Sequence, residues 1–126
     1  AVLLDAPCSA TGTIRRHPDL PHLRRESDVA ALTALQDRLL DAAWAAVRPC
    51  GRLVFATCSL LPEEGERRAA AFRARTRDAR SAPVTVADTA DPALLTPEGD
   101  LRTRPDHWPA LGGLDGFFAA RFDKAG

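Results

Sequence analysis

The chain opens on a short apolar run, Ala1-Val-Leu-Leu4, closed by Asp5. A continuous apolar run of this length, bounded by turn residues, predicts a buried parallel strand. Pro7, Gly12 and the small hydroxyl residues up to Thr13 then supply loop chemistry. After an arginine-rich stretch, Ser27 and Asp28 stand where a helix N-cap and a first-turn acid belong. Leu32, Leu35, Leu39, Ala43 and Val47 recur at helical spacing, and Leu40 and Trp44 widen the stripe. A stripe this broad predicts a helix covering one face of a sheet, ended by Pro49 and Gly51. Arg52–Thr57 reads as the next strand, with Thr57-Cys58-Ser59 at its C-terminal end. Pro62 suits a first helical turn, and Glu63, Glu64 and Glu66 complement its positive end. That helix is expected to run through Ala69, Phe72 and Ala74 and to fray from Arg77 to Ser81.

Beyond it, Val84 to Ala87 reads as a strand, and Asp88 to Pro109 as mostly loop with a short strand at Asp100 to Thr103. Gly112-Gly113 marks a turn, and Gly116 to Phe122 a closing strand. Alternating strands and helices predict an α/β fold with a mostly parallel sheet and an antiparallel closing strand. Right-handed crossovers place the loops at Cys8 and Cys58 on one sheet edge, where ligands of open α/β sheets bind. For neighbouring strands, the two sulfurs are expected within roughly 10 Å of each other. A core strand already under way at Ala1 raises the expectation of further strands upstream. Without them the sheet would expose an edge open to self-association or to a partner.

Composition narrows the class. The chain has 126 residues, 45% of them apolar, enough for one packed domain. Seventeen basic residues balance 17 acidic ones, which excludes a grip on nucleic acid through overall charge but leaves room for a local patch. Three cysteines, Cys8, Cys50 and Cys58, are too few and too oddly spaced for a disulfide scaffold or a structural zinc site. They read as cytosolic thiols, and no apolar run approaches the roughly 18 residues of a membrane span. The expectation is a cytoplasmic protein. His17, His22 and His107 lack ligand spacing, so no metal site is expected.

Asp5-Ala-Pro-Cys8 alone can be a polar strand end whose aspartate accepts loop N–H bonds over a buried thiol. Thr57-Cys58-Ser59 alone is a common small triplet. Together, they bring two thiols and a carboxylate to one crevice, which packing does not require. A cysteine hydrolase needs a base beside the thiol, and only His17 lies near either motif. A redox pair usually has Cys-x-x-Cys spacing, which is absent.

Leu4-Asp-Ala-Pro-Cys-Ser-Ala-Thr-Gly-Thr-Ile-Arg-Arg-His-Pro-Asp19 and Ala56-Thr-Cys-Ser-Leu-Leu-Pro-Glu-Glu64 resemble the two cysteine motifs of the Nop/Sun family of RNA (cytosine-5)-methyltransferases, in its bacterial ribosomal RNA branch. Leu35-Gln36 and Asp115-Gly-Phe-Phe-Ala-Ala120 fit the same pattern, so the resemblance runs from Val2 to Phe122. It implies the C-terminal half of a Rossmann-like domain dependent on S-adenosylmethionine (SAM), acting on RNA, with ribosomal RNA as the expected substrate. It also implies that Cys58 attacks carbon-6 of cytosine, that Cys8 assists release, and that Asp5 contacts the base and closes part of the cofactor pocket. Pro7 shapes that cofactor-side loop.

The residue types suit this chemistry. Carbon-5 of a pyrimidine is a poor nucleophile until a thiolate adds at carbon-6, which splits one hard step into two easier ones. Arg15, Arg16, Arg24 and Arg25 are the candidate RNA contacts; the alternative is a solvated basic loop paired with Asp19, Glu26 and Asp28. Arg67, Arg68, Arg73, Arg75 and Arg77 read as an exposed helix face. Two departures stand out. Cys50-Gly51 replaces the usual Gly-Gly turn, with Cys50 expected to cap the helix, and no glycine-rich loop or ribose-binding acid is present. Those cofactor elements are expected upstream of Ala1. A non-catalytic RNA-binding or assembly piece stays open as the second reading, though it has no chemical need for two thiols.

Overall fold

The computed structural model describes residues 1–126. Strands β1 (Val2–Asp5), β2 (Arg52–Thr57), β3 (Ala79–Ser81), β4 (Leu101–Arg102) and β5 (Phe118–Lys124) form one sheet in the order β1-β2-β5-β3, with β4 also on β5. The sheet is mixed. β1 and β2 are parallel, with Val2 opposite Leu53 and Asp5 opposite Ala56, while β2, β3 and β4 all meet β5 antiparallel. The expected mostly parallel sheet is therefore corrected. The helical crossover after β2 does lead to a strand of the same direction, β3, but β5 wedges between the two and turns both pairings antiparallel.

The helices are α1 (Leu20–Leu23), α2 (Glu26–Ala46), α3 (Glu66–Arg75) and α4 (Val86–Thr89). α2 starts one position before Ser27, and Asp28 closes its first turn by accepting the Arg25 N–H at 2.9 Å. Its C-terminal carbonyls are taken by Lys124, whose Nζ donates to Trp44 O and Val47 O at 2.9 Å each. Cys50 therefore does not cap the helix; it occupies a left-handed turn at φ 58°, a position that favours glycine. Pro62–Glu64 is a separate 3₁₀ turn, and α3 begins only at Glu66.

Two expectations about short elements fail for local reasons. Ala79–Ser81, read as a fraying helix end, finds the free edge of β5 and pairs with it. Val84 to Ala87 is not a strand, because Asp88 accepts both the N–H and the hydroxyl of Thr85, at 2.8 and 3.0 Å, and caps α4.

One sheet face carries Leu53, Phe55, Phe118, Ala120 and Phe122 against Leu40 and Trp44 of α2 and Ala69 and Phe72 of α3. Phe72 sits edge-on between Trp44 and Phe122, with ring centroids at 5.5 and 4.9 Å. The fully screened stripe of α2 is narrower than the pattern predicted: Gln36, Leu40 and Trp44, with a polar residue at the end nearest the cysteine loops. β1 departs from the expected two-sided burial. It is the terminal strand of the sheet, and Leu3, on the face away from α2, is 71% exposed.

Candidate active site

Since β1 and β2 are parallel neighbours, both chains leave the sheet at one edge. The ladder continues one residue past β1, Ala6 N–H donating to Ala56 O at 2.9 Å, and Pro7 then lacks the donor to extend it. The loop folds back over the end of β2, where Gly12 N–H donates to Cys58 O at 2.9 Å and Gly116 N–H to Gly12 O at 2.8 Å. Gly12 permits this approach, because a Cβ there would stand 1.8 Å from Gly116 O and 2.8 Å from Cys58 O.

The result is a thiol pair. Cys8 Sγ lies 3.5 Å from Cys58 Sγ, well inside the separation expected from strand spacing. Burial, with the hydrogen bond and charge of Cys58 adding to it, pushes the Cys8 thiol up to about 12. The two thiols are therefore unequal: burial and its neighbour disfavour ionisation of Cys8, and either sulfur can donate in the contact between them. Alkylation tests this asymmetry. Iodoacetamide at neutral pH should label Cys58 ahead of Cys8, and Cys58→Ser should move the onset of Cys8 labelling to lower pH by removing the neighbouring charge. Peptide mapping that finds Cys8 labelled first would refute it.

Asp5 is exposed at the same edge. The loop N–H groups that an aspartate in this position could have bound go elsewhere, Ser9 N–H to Glu64 and Gly12 N–H to Cys58 O, so the carboxylate is open to a ligand. Pro7 is exposed beside it, its carbonyl accepting from Gln36 Nε2 at 2.9 Å. The four candidate RNA arginines divide. Arg15 and Arg16 pair with Asp115 at 3.3 and 2.8 Å, and Arg24 donates to Ser9 O at 3.0 Å, bracing the Cys8 loop. Arg25 is exposed at the start of α2. The acidic partner of Arg15 and Arg16 is Asp115, far along the chain, instead of Asp19, Glu26 or Asp28. On α3, Arg68, Arg73 and Arg75 bind Asp37, Asp100 and Asp41 at 2.5, 2.5 and 3.0 Å, a face tied to its neighbours more than the sequence indicated.

Three residues have places in the site that the sequence does not assign them, although Gln36 and Glu64 lie in segments that carry the family resemblance. Glu64, taken for a helix-start acid, is fully buried and accepts the hydroxyls of Ser9 and Ser59 at 2.5 Å each. Gln36 is buried against it, and its place one helical turn before Leu40 and two before Trp44 was the available signal. Arg102, also buried, donates to Ser59 O, forms a double hydrogen bond with Glu66 at 2.8 and 2.7 Å, and lies over the Phe118 ring. Nothing in its surroundings along the chain announces that role.

Residues 1–123 match the family described as 16S rRNA methyltransferase RsmB/F. The chain belongs to this family. The resemblance carried by the two cysteine motifs is thereby borne out. Among its relatives, the ribosomal RNA small subunit methyltransferase B of Photorhabdus laumondii is 45% identical over 123 residues, covering 98% of this chain and 26% of that protein. The protein of the same name from Vibrio cholerae is 45% identical over 123 residues, covering 98% and 25%. Of solved structures, a methyltransferase homolog from Pyrococcus horikoshii aligns with a TM-score of 0.70 and 31% identity, over 97% of this chain and 38% of that one. NSun6 from Pyrococcus horikoshii, solved with SFG, an analogue of SAM, aligns with a TM-score of 0.74 and 27% identity, over 98% and 29%. The chain spans about a quarter of the length of these RsmB/F relatives. No helix is long and apolar enough to cross a membrane.

Proposed function

We propose that this chain is the C-terminal half of a Rossmann-like methyltransferase domain that uses SAM to methylate carbon-5 of cytosine in RNA, with ribosomal RNA in the cytoplasm as the substrate. The observation that carries the reading is the thiol pair, two sulfurs at 3.5 Å at the ends of parallel neighbouring strands. A hydrolase would set an imidazole against its nucleophile, whereas each thiol here has the other as its side-chain hydrogen-bond partner. The spacing does satisfy what a redox pair needs in space, although not along the chain; membership of a methyltransferase family weighs against that use.

SAM, when bound, supplies the methyl group. Asp5 and Pro7, exposed and uncommitted on the side chain, fit the role of closing its pocket from this half of the domain. Cys58 thiolate adds to carbon-6, and the ring electron pair shifts to carbon-5, which takes the methyl group. Asp5 faces the ring nitrogen and amine, where charge develops. A base then takes the carbon-5 proton, the pair from that bond restores the double bond between carbon-5 and carbon-6, and the bond from carbon-6 to sulfur breaks with its electrons returning to Cys58. Burial is the larger hold on the Cys8 proton and stays in place, but while Cys58 is a thioether its charge no longer adds to that hold, so Cys8 is more acidic than in the free thiol pair. The target cytosine must leave its stack to reach this crevice. Arg25, with Arg15, Arg16 and Arg24 around the same loop, supplies phosphate contacts that position the RNA. The upstream half of the domain is the partner proposed for the open edge of β1 and for Leu3; without it, self-association through that edge is expected.

Incubating the full-length protein with SAM and unmodified ribosomal RNA should yield 5-methylcytidine in a nucleoside digest read by mass spectrometry. RNA binding with no methylated cytidine would favour the non-catalytic reading, and a methyl group on another atom would overturn the proposed chemistry.

A further inference from the structure

We infer that Glu64 is the positioning residue that sets the separation of the two thiols, holding the Cys8 loop through Ser9 and the Cys58 loop through Ser59. The inference rests on the proposed reaction and adds the means by which its two sulfurs are kept in register.

Glu64 is fully buried in the 3₁₀ turn Pro62–Glu64. Its Oε1 accepts the Ser9 N–H at 2.9 Å and Gln36 Nε2 at 3.2 Å. Its Oε2 accepts the hydroxyls of Ser9 and Ser59, both at 2.5 Å. Its backbone carbonyl accepts the Thr57 hydroxyl at 3.0 Å. Gln36 in turn donates to Pro7 O at 2.9 Å. Both chain neighbours of Cys8, Pro7 and Ser9, and both of Cys58, Thr57 and Ser59, are thus bound to the Glu64–Gln36 pair. Four donors converge on one carboxyl group from the Cys8 loop, the Cys58 loop and α2.

Packing alone gives no reason for this. A carboxyl group is costly to bury, and apolar side chains of similar volume fill such a space as well or better. The chemistry does give one. Carbon-6 takes the nucleophile and the adjacent carbon-5 loses the proton, so both sulfurs must address one edge of one ring. A carboxylate is a rigid planar acceptor that can hold two hydroxyls on one oxygen, and here it links the loops directly behind the thiols. The two serines follow the two cysteines immediately in sequence, so a shift of either hydroxyl is transmitted to a sulfur.

The test reads thiol spacing and turnover separately in the full-length protein. Diamide oxidises neighbouring thiols to a disulfide and is itself reduced to the hydrazine, so its cross-linking rate reports on the Cys8–Cys58 separation with no RNA or SAM present. Glu64→Gln, whose NH2 must face either the two hydroxyls or the Ser9 N–H and Gln36 Nε2 donors, should slow cross-linking about tenfold. It should also lower kcat about 10²-fold with KM for RNA nearly unchanged, the scale of loss for reacting groups displaced by about an ångström. The exposed Arg67→Gln should change neither. Two single-arm variants split the reaction. Ser59→Ala should slow formation of the covalent RNA adduct, and Ser9→Ala should leave formation intact while adduct accumulates over product. That partition would not move if the network only stabilised the fold, and it carries the test should Glu64→Gln fail to fold. Cross-linking of Glu64→Gln at the wild-type rate, or equal effects of Ser9→Ala and Ser59→Ala on both steps, would overturn the inference. Because cross-linking needs no substrate, its comparison stands apart from whether the wild-type protein methylates cytosine.

Discussion

Cys58→Ala in the full-length protein is expected to abolish both methylation and every covalent complex with RNA, since the first bond to carbon-6 is then never made. Cys8→Ala is expected to behave in the opposite way. Attack and methyl transfer proceed, release stalls, and the enzyme accumulates as a protein–RNA conjugate that survives denaturing electrophoresis. The 3.5 Å contact makes this division sharp. One sulfur, its ionisation disfavoured by burial and by its neighbour, is the less ready to open the reaction but is placed to act after the other has bonded to the base. Loss of either thiol should leave RNA affinity close to that of the wild type, because affinity comes mainly from phosphate contacts. Two variants with equal residual turnover and no conjugate would show that the thiols do not act in succession.

Gly12→Ala is expected to be strongly damaging, although Gly12 touches no substrate. A methyl group there would meet Gly116 O, Gly116 C and Cys58 O at 1.8, 2.6 and 2.8 Å, all of them backbone, so no flexible side chain can yield. The Cys8 loop must lift away from the Cys58 loop. Overpacking of this kind costs about 1–3 kcal/mol of stability, and a displacement near an ångström at reacting groups costs about 10²-fold in rate. Urea denaturation and single-turnover methylation measure the two effects. Wild-type turnover in Gly12→Ala would mean that the close loop contact is dispensable.

The adjacency of the thiols was legible because it follows from topology. A strand, a covering helix and a second strand in right-handed order put the residues after Asp5 and after Thr57 on one edge, whatever the side chains do. Only the distance was loose, since strand spacing bounds it without the loop geometry that Gly12 and Gly116 provide. The sheet was less legible beyond β2. The pattern of Phe118, Ala120 and Phe122 marks a half-buried strand, but nothing in it tells whether β5 inserts beside β2 or follows β3. Glu64, Gln36 and Arg102 were hidden for a further reason. Polar residues are assigned to the surface by default, and their burial here depends on partners 28 to 55 residues away that supply the missing hydrogen bonds. Arg15 and Arg16 show the same limit, as their acid, Asp115, lies at the far end of the chain from the loop they occupy.

The most direct measurement of the central claim is peptide mapping of the trapped conjugate. RNA captured by Cys8→Ala in the presence of SAM is digested to a nucleotide, the protein to peptides, and the modified residue located by mass spectrometry. The thiol-pair account predicts a methylated cytosine on the peptide that contains Thr57-Cys58-Ser59. A conjugate that forms instead with Cys58→Ala and maps to Cys8 would contradict it.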